Sequence, residues 1–175
     1  GSCWYSNDTM LKNTTLADCG TNITGVTWAE GSHNVTVWAN DSSGNENSSS
    51  VVFTVDSIAP NINIEYPTNN TNTTDSEIDV NYTTSGSSQA CWYSNDTMLT
   101  NTSIACSINI TTLTWIEGSH NVTVWANDSS GNENSSSVVF TVDTTVPETI
   151  NIIYPENFTY NVNVSWLNYT YIGSD

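Results

Sequence analysis

The sequence contains the same 27 residues twice. The segment EGSHNVTVWANDSSGNENSSSVVFTVD runs from Glu30 to Asp56 and recurs without a substitution from Glu117 to Asp143. An identity of this length at an offset of 87 residues, the difference between 117 and 30, is an internal repeat. An internal repeat constrains the architecture of the whole chain, because each copy is expected to fold into the same unit.

The repeated segment has the pattern of a β-hairpin. Two stretches alternate apolar residues with others at the period of two that marks a half-buried strand. Between them lies DSSGNENSS, which is rich in the residues that favour chain reversal. A single hairpin is at best marginally stable in water, so the rest of the repeat must cover its apolar side. The alternating apolar residues are Val35, Val37 and Ala39 in the first strand and Val51, Phe53 and Val55 in the second.

Composition excludes several classes of partner. The net charge is −17, with one basic residue, Lys12, against 18 acidic residues. Nucleic acids and anionic membrane surfaces both need Lys or Arg for binding, so neither is expected as a partner. No apolar run approaches membrane-spanning length. β-branched residues dominate the patterned stretches and no stretch keeps a helical period, which predicts an all-β protein.

The four cysteines form two pairs at matching places in the repeat. Cys3 and Cys19 are 16 residues apart, and Cys91 and Cys106 are 15 apart. Neither pair is a CxxC and the two histidines lie elsewhere, so a zinc site is disfavoured. We expect two local disulfide bonds, which would place the protein outside a reducing cytosol.

The chain carries 18 Asn-X-Ser/Thr sequons, the acceptor motif for N-glycosylation. Asn, Thr and Ser number 25, 27 and 24, so a chain of this composition produces many sequons by chance. The strand phase favours glycosylation of these sequons, because six of the asparagines (34, 40, 81, 121, 127 and 168) fall on outward positions. We expect dense N-glycosylation of a secreted surface protein. The acceptors are Asn7, Asn13, Asn22, Asn34, Asn40, Asn47, Asn69, Asn72, Asn81, Asn95, Asn101, Asn109, Asn121, Asn127, Asn134, Asn157, Asn163 and Asn168.

The repeat divides the chain into three parts. Residues 57–143 are predicted to be one complete repeat, residues 1–56 the C-terminal part of a repeat, and residues 144–175 the N-terminal part of the next. Strands are predicted at 61–66 and 77–83, and again at 150–154 and 162–171. The two partial repeats complement each other, so the 175 residues are expected to tile as two repeats of about 88. The alternative is an engineered boundary, with Gly1-Ser2 left from cloning.

The expected partners are copies of the protein itself, in a helical or linear polymer. Tiling predicts that residue 175 of one copy continues into residue 1 of the next. The runner-up is strand donation, in which residues 144–175 of one subunit complete the sandwich of another.

The segments EGSHNVTVWANDSSGN and VVFTVD resemble the last two strands of fibronectin type III and bacterial Ig-like repeats. The leading CWYS resembles their Trp-bearing third strand. This combination is similar to tandem Ig-like repeats of large archaeal and bacterial surface proteins. The resemblance implies tandem immunoglobulin-like β-sandwiches with about seven short strands each. One departure is that each cysteine pair lies close in sequence, so its bond should staple a hairpin to its return segment instead of joining two sheets.

Candidate chemical sites are weak. His33 and His120 each precede the motif Asn-Val-Thr-Val, where the resembling folds carry a structural Tyr, so both are interpreted as structural. Nothing places a serine nucleophile on a strained turn, so no enzyme is predicted. The hairpin turns are expected to hold their acidic residues in Asx-type turns, with calcium binding as the alternative. No cofactor or metal is therefore expected, apart from glycans. The turn acids are Asp41, Glu46, Asp128 and Glu133.

The tryptophans suggest both a core and an interface. Trp4 and Trp92 are predicted in the core, and two others, Trp28 and Trp115, at its end. Trp38 and Trp125 lie on the outward phase between sequons. They are expected either to form cross-strand pairs or to contact glycans or another copy.

The two repeats disagree at one place. Alignment puts Val164 opposite Glu77 and Trp166 opposite Asp79. Because Glu77 and Asp79 are charged and outward, Val164 and Trp166 predict an outward apolar contact patch once per 175 residues. A register slip that turns Trp166 inward is the alternative, since one residue of slip reverses every side chain.

Two functions are consistent with these features. The first is a structural subunit of an extracellular, heavily N-glycosylated filament or surface stalk. The alternative is an adhesin repeat that binds carbohydrate or cell-surface ligands. Near-identical repeats favour the first, because a specific binding site would make one repeat differ.

Overall fold

The structure, a computed structural model, describes residues 1–8 and 13–173. These residues form strands and no helix, and the prediction of an all-β protein is confirmed. None of them belongs to a helix long and apolar enough to cross a membrane. The return segment predicted after Asn7 lies partly outside the described residues. The strands are β1 (Cys3–Asn7), β2 (Thr14–Thr15), β3 (Gly31–Asn40), β4 (Glu46–Val55), β5 (Asn61–Tyr66), β6 (Thr71–Thr73), β7 (Asn81–Ser85), β8 (Ala90–Asn95), β9 (Thr102–Ile104), β10 (Gly118–Asn127), β11 (Glu133–Val142), β12 (Thr149–Tyr154) and β13 (Asn168–Ile172).

The chain divides into two compact units. One comprises Gly1–Ala59 with Ser130–Asn132, and the other comprises Pro60–Ser129 with Glu133–Asp175. The first unit holds one antiparallel four-stranded sheet in the order β2-β1-β3-β4. Its hairpin β3–β4 pairs Gly31 with Val55 and Asn40 with Glu46, which is the pairing expected from the alternating pattern.

The second unit contains a β-sandwich. Its larger sheet has the order β6-β11-β10-β8-β9, with β6 parallel on the edge. The facing strands are β5 and β7, and Val80 just before β7 bridges to Ile110. Apolar side chains from both layers fill the space between them, which is the Ig-like arrangement, so the predicted fold class is confirmed. The buried cluster is Ile62, Ile78, Val80, Tyr82, Cys91, Tyr93, Ile110, Trp115, Val122, Val124, Ala126, Val138, Phe140 and Val142.

Strands β12 and β13 form a separate antiparallel pair. Ile150 pairs with Tyr171 and Ile152 pairs with Tyr169, and the register shifts before Tyr154. All four paired side chains are more than half exposed, so this pair presents an uncovered apolar side.

The prediction that Trp4 and Trp92 lie in the core is wrong. Cys91 and Tyr93 are buried, and because side chains alternate along a strand, Trp92 between them points to the other face. Trp4 follows the buried Cys3 in the same way, and both rings are only half-buried. Trp115 does lie in the core, 4% exposed, at the place predicted for it.

The strands predicted at 77–83 and 162–171 begin later than expected, at Asn81 and Asn168. The Asp75 carboxylate accepts a hydrogen bond from the backbone N–H of Glu77. The carbonyl oxygen of Ser76 accepts one from the backbone N–H of Trp115. These bonds tie the segment before β7 to a turn and a loop instead of a neighbouring strand. Val164 and Trp166 lie before β13 on irregular chain, so the strand predicted across them is wrong.

Candidate functional site

Both predicted disulfide bonds are present. Cys3 is bonded to Cys19 and Cys91 to Cys106, with Cα–Cα distances of 5.4 Å and 5.2 Å. Each bond fastens a central strand of its sheet to the return segment that follows it. Structural disulfides of this kind are typical of oxidising compartments.

Each histidine is held at both ring nitrogens. Nδ1 of His120 lies 3.1 Å from a carboxylate oxygen of Asp96, and Nε2 lies 2.8 Å from the carbonyl oxygen of Ile116. His33 makes the matching contacts at 3.1 Å to Asp8 and 2.7 Å to the carbonyl oxygen of Ala29. A ring with both nitrogens engaged and almost no exposure is not placed to act as a base on a substrate. The structural interpretation of both histidines agrees with this geometry.

The bond that Nε2 of His33 donates to the Ala29 carbonyl raises the pKa of His33 above its ordinary value. Burial of the ring opposes this rise, and the Asp8 carboxylate adds to it by hydrogen bonding and by its charge. The charged form of His33 is thus favoured by the fold, because it alone donates from both nitrogens.

The acidic turn after β3 is closed by its own amides. Oδ1 of Asp41 accepts from the backbone N–H of Ser43 at 2.8 Å and of Asn45 at 2.9 Å, and Oδ2 accepts from the Asn45 side chain at 2.8 Å. The side-chain and then the backbone bond from Asn45 lower the pKa of Asp41. Gly44 supplies the positive φ of 83° that the reversal requires. This is the Asx-type turn that the sequence predicts. Among the described residues, no three His, Cys, Asp or Glu side chains gather as they would around a metal ion.

The outward tryptophans form stacked cross-strand pairs. Trp92 lies opposite Trp125 with ring centroids 6.5 Å apart and planes 6° from parallel. The pair of Trp4 and Trp38 repeats this at 6.4 Å and 8°. The sequence analysis predicted that Trp38 and Trp125 could form cross-strand pairs. It did not identify Trp4 and Trp92 as their partners, because it assigned those two residues to the core. The alternation of Cys91, Trp92 and Tyr93 was the signal that could have found it.

None of the 18 sequon asparagines is buried. Twelve are exposed and six are half-buried, and these six lie on or beside the regular strands. Each asparagine therefore keeps some exposed surface, although Oδ1 is buried in Asn34, Asn81, Asn121 and Asn127, and occupancy by sugar stays a prediction. The half-buried acceptors are Asn34, Asn40, Asn81, Asn95, Asn121 and Asn127.

A cluster of aromatic rings forms between β12 and β13, and the sequence reasoning missed it. Trp166 stacks on Tyr154 with centroids 4.0 Å apart, and Tyr154 meets Tyr160 edge-on at 5.5 Å. Phe158 stacks on Tyr160 at 4.4 Å, and the Tyr160 hydroxyl accepts the amide of Glu156 at 2.8 Å. Trp166 remains 58% exposed, while Val164 is half-buried. The predicted contact of Val164 and Trp166 with another chain stays a prediction.

No family model matches the chain. No curated protein matches it either. Among solved structures, the chain is similar to fibronectin(III)-like modules of Clostridium thermocellum CbhA at 19% identity, covering 81% of this chain and 77% of that chain, with a TM-score of 0.36. The assignment to an Ig-like sandwich therefore stands on the strand order and the core.

Proposed function

We propose that the chain is a structural module of an extracellular, N-glycosylated filament or surface stalk built from tandem Ig-like repeats. One observation carries the proposal. The identical segments adopt the same strand register, the same histidine–aspartate contact and the same tryptophan stack in both units. A unit whose stabilising contacts recur so closely is suited to repetition in a long tandem array.

The chain exits both hairpins in the same way, which supports a regular string. The carboxylate of Glu30 accepts hydrogen bonds from the backbone N–H and the hydroxyl of Ser57. The carboxylate of Glu117 does the same for Thr144, at 3.0 Å and 2.7 Å. In both places the first residue of the linker is held by the hairpin that it leaves.

The surface also suits a glycan coat. All sequon asparagines have some exposure, and the hairpins expose many Ser and Asn side chains and few charges. Sugars at these sites would cover strand edges that otherwise invite pairing with other chains.

Electron microscopy of material from the native source, joined to glycopeptide mass spectrometry, tests the proposal. We expect fibres or stalks whose subunits carry sugar at most sequons. Isolated compact molecules, or asparagines that are mostly unmodified, would contradict it.

A second candidate is an adhesin repeat that binds carbohydrate, and the aromatic cluster favours it. Tyr154, Phe158, Tyr160 and Trp166 gather on one exposed part of the chain. Exposed aromatic patches mark ligand sites, and flat rings offer stacking surfaces to sugar faces. Glycan-array binding that Trp166→Ala abolishes and Trp125→Ala does not would support this candidate, whereas no binding to any glycan would remove it.

A further inference from the structure

We infer that the hairpin β12–β13 of one chain covers the apolar side of the sheet β1–β3–β4 in a second copy of the chain. This inference rests on the proposed function, because it names the contact that would join successive modules. We call the acceptor surface, formed by Val35, Val37, Val51 and Phe53, the open face. We call β12–β13, with the segment leading into β13, the donor hairpin.

Identical sequences have different exposure in the two units. Val37 is 37% exposed, while Val124 at the same place in the repeat is fully buried. Val51 is 56% exposed, while its counterpart Val138 is 3% exposed. The local sequence is the same, so the difference arises from what covers each sheet.

In residues 60–142 the cover is β5, β7 and the segment before β7. Val80 exchanges two backbone hydrogen bonds with Ile110, each 3.0 Å long. Nε1 of Trp115 donates to the carbonyl oxygen of Ile78 at 2.9 Å. The hydroxyl of Tyr82 donates to the carbonyl oxygen of Ala105 at 3.1 Å. Apolar burial and these directional bonds together fix the cover on the sheet.

The open face retains the receiving groups for such a cover. Ile23, Trp28 and Ala17 occupy the places of Ile110, Trp115 and Ala105 in the repeat. A cavity of about 310 Å³ lies beside them. Its residues include the counterparts of residues that share one buried cluster with Val80 and Tyr82 in the second unit. The apolar lining is Tyr5, Ile23, Val26, Trp28, Val35, Val51 and Phe53.

The donor hairpin reproduces the cover. In β5–β7, Ile62 pairs with Thr84 and Ile64 with Tyr82, and the register shifts before Tyr66. In β12–β13, Ile150 pairs with Tyr171 and Ile152 with Tyr169, and the shift recurs before Tyr154. The two pairs of strands therefore share one register, although most of their sequence differs.

The side chains that would enter the cavity are exposed in the donor hairpin. Leu167 stands in the place of Val80, and Tyr169 in the place of Tyr82. Both are 60% exposed, whereas Val80 and Tyr82 are 0% and 2% exposed. Ser165 stands in the place of the buried Ile78. Trp115 donates its hydrogen bond to the main-chain carbonyl of Ile78, and a serine supplies the same carbonyl group.

The donor hairpin of a second copy is the proposed occupant of the open face, because its register and side chains match those of the cover. The alignment gives the contacts. Leu167 of the donor pairs with Ile23 of the acceptor. The hydroxyl of Tyr169 donates to the carbonyl of Ala17, and the Trp28 ring donates to the carbonyl of Ser165. The described residues of a chain include one donor hairpin and one open face, so the contact between them propagates head to tail.

Complementary variants test this arrangement. Leu167→Asp disables the donor and Val51→Asp disables the acceptor, and both sites are exposed in the single chain, so folding should survive. Sedimentation of the unmodified chain should show mass rising with concentration in steps of 19.1 kDa. Each variant alone should stay monomeric, since an unpaired carboxylate in the contact should weaken association more than about 100-fold.

Mixing gives the decisive result. The two variants together should form a one-to-one dimer and nothing larger, because only one intact donor and one intact acceptor meet. Thr170→Asp, on the other side of β13, is the matched control and should assemble normally. A mixture that remains monomeric, or either variant alone assembling as the unmodified chain does, would overturn the inference.

Cross-linking tests the register. Antiparallel residues that exchange two backbone bonds have Cα atoms about 5.5 Å apart, within disulfide range. A chain with Ile23→Cys mixed with a chain with Leu167→Cys should form a disulfide-linked dimer, and Thr24→Cys should replace Ile23→Cys poorly. Equal yields from both would overturn the pairing.

These experiments separate the inference from the proposed function. Glycosylated native fibres whose subunits ignore both variants would overturn only the inference. The chain could assemble through the donor hairpin while the protein from its native source carries no sugar and forms no fibres. That result would overturn only the proposed function.

Discussion

The same valine in two environments provides a matched perturbation. Val138 and Val51 occupy the same place in the identical segments, and their exposures are 3% and 56%. Val138→Ala and Val51→Ala therefore make the same chemical change with the same neighbours in sequence. We expect Val138→Ala to destabilise its unit strongly and Val51→Ala to have a small effect in the monomeric chain.

The magnitudes follow from burial. The change from valine to alanine removes the equivalent of two methylene groups, and burial of each stabilises the fold by about 0.8 kcal/mol. The hydrophobic free energy lost at Val138 is therefore about 1.6 kcal/mol. A cavity in the packed core adds to this and brings the total to about 2–3 kcal/mol. Val51 is already more than half exposed, so the loss there is about 0.7 kcal/mol, and the open face leaves no enclosed cavity.

Native-state hydrogen exchange measured by NMR reads the two units separately. The amides of Val124 and Val37 report on the sheets that hold the two valines. The measurement is made at a concentration where sedimentation shows monomers, because association would cover Val51. Equal losses of protection in the two variants, or a larger loss for Val51→Ala, would refute the link between cover and stability.

Three further outcomes are expected. Replacing Cys91 and Cys106 by Ser should lower the free energy of unfolding of the second unit by about 3 kcal/mol, measured by urea unfolding, because a cross-link over about 15 residues is lost. The pKa of His33 is raised in the folded state, so its stabilising contribution is complete below pH 6.5 and is lost as the pH rises through the folded-state value. Thermal unfolding against pH should show this loss for the first unit, reduced by Asp8→Asn, and stability that increases with pH would contradict it. Trp125→Ala should cost about 1 kcal/mol beyond the lost area through the broken stack, with Trp125→Phe recovering part, as read from Tm.

The sequence predicted the fold well where periodicity is regular. The alternation around Val35 and Val51 predicted the β3–β4 hairpin, and the internal repeat predicted its recurrence as β10–β11. The spacing of the cysteines predicted both disulfide bonds. These features depend on neighbours in sequence, which a single chain displays directly.

Prediction failed where strand phase was not applied to a tryptophan. Trp92 was assigned to the core, although the buried Cys91 and Tyr93 on either side leave it the outer face. A strand has two faces, and a stacked pair can half-bury a tryptophan on the outer one.

Prediction also failed where hydrogen bonds compete with the strand ladder. The Asp75 side chain and the loop at Trp115 take the backbone groups of residues 76–78, and the strand begins only at Asn81. The aromatic cluster around Tyr154 was missed for a related reason, because its members come from irregular chain with no period to reveal them.

The differences between the two covering segments indicate where a specific function would reside. Most of the side chains that face a core keep their character, with isoleucine at 62 and 150 and at 64 and 152, and tyrosine at 82 and 169. The residues that differ most precede the second strand of each pair: Glu77 and Asp79 in one segment are Val164 and Trp166 in the other, and Trp166 is 58% exposed. A sandwich requires only the inner set, because the inner set alone fills the core. The stack of Trp166 on Tyr154 leaves Trp166 58% exposed, and we predict that this exposed aromatic cluster makes a contact outside the repeat, with sugar or with another chain.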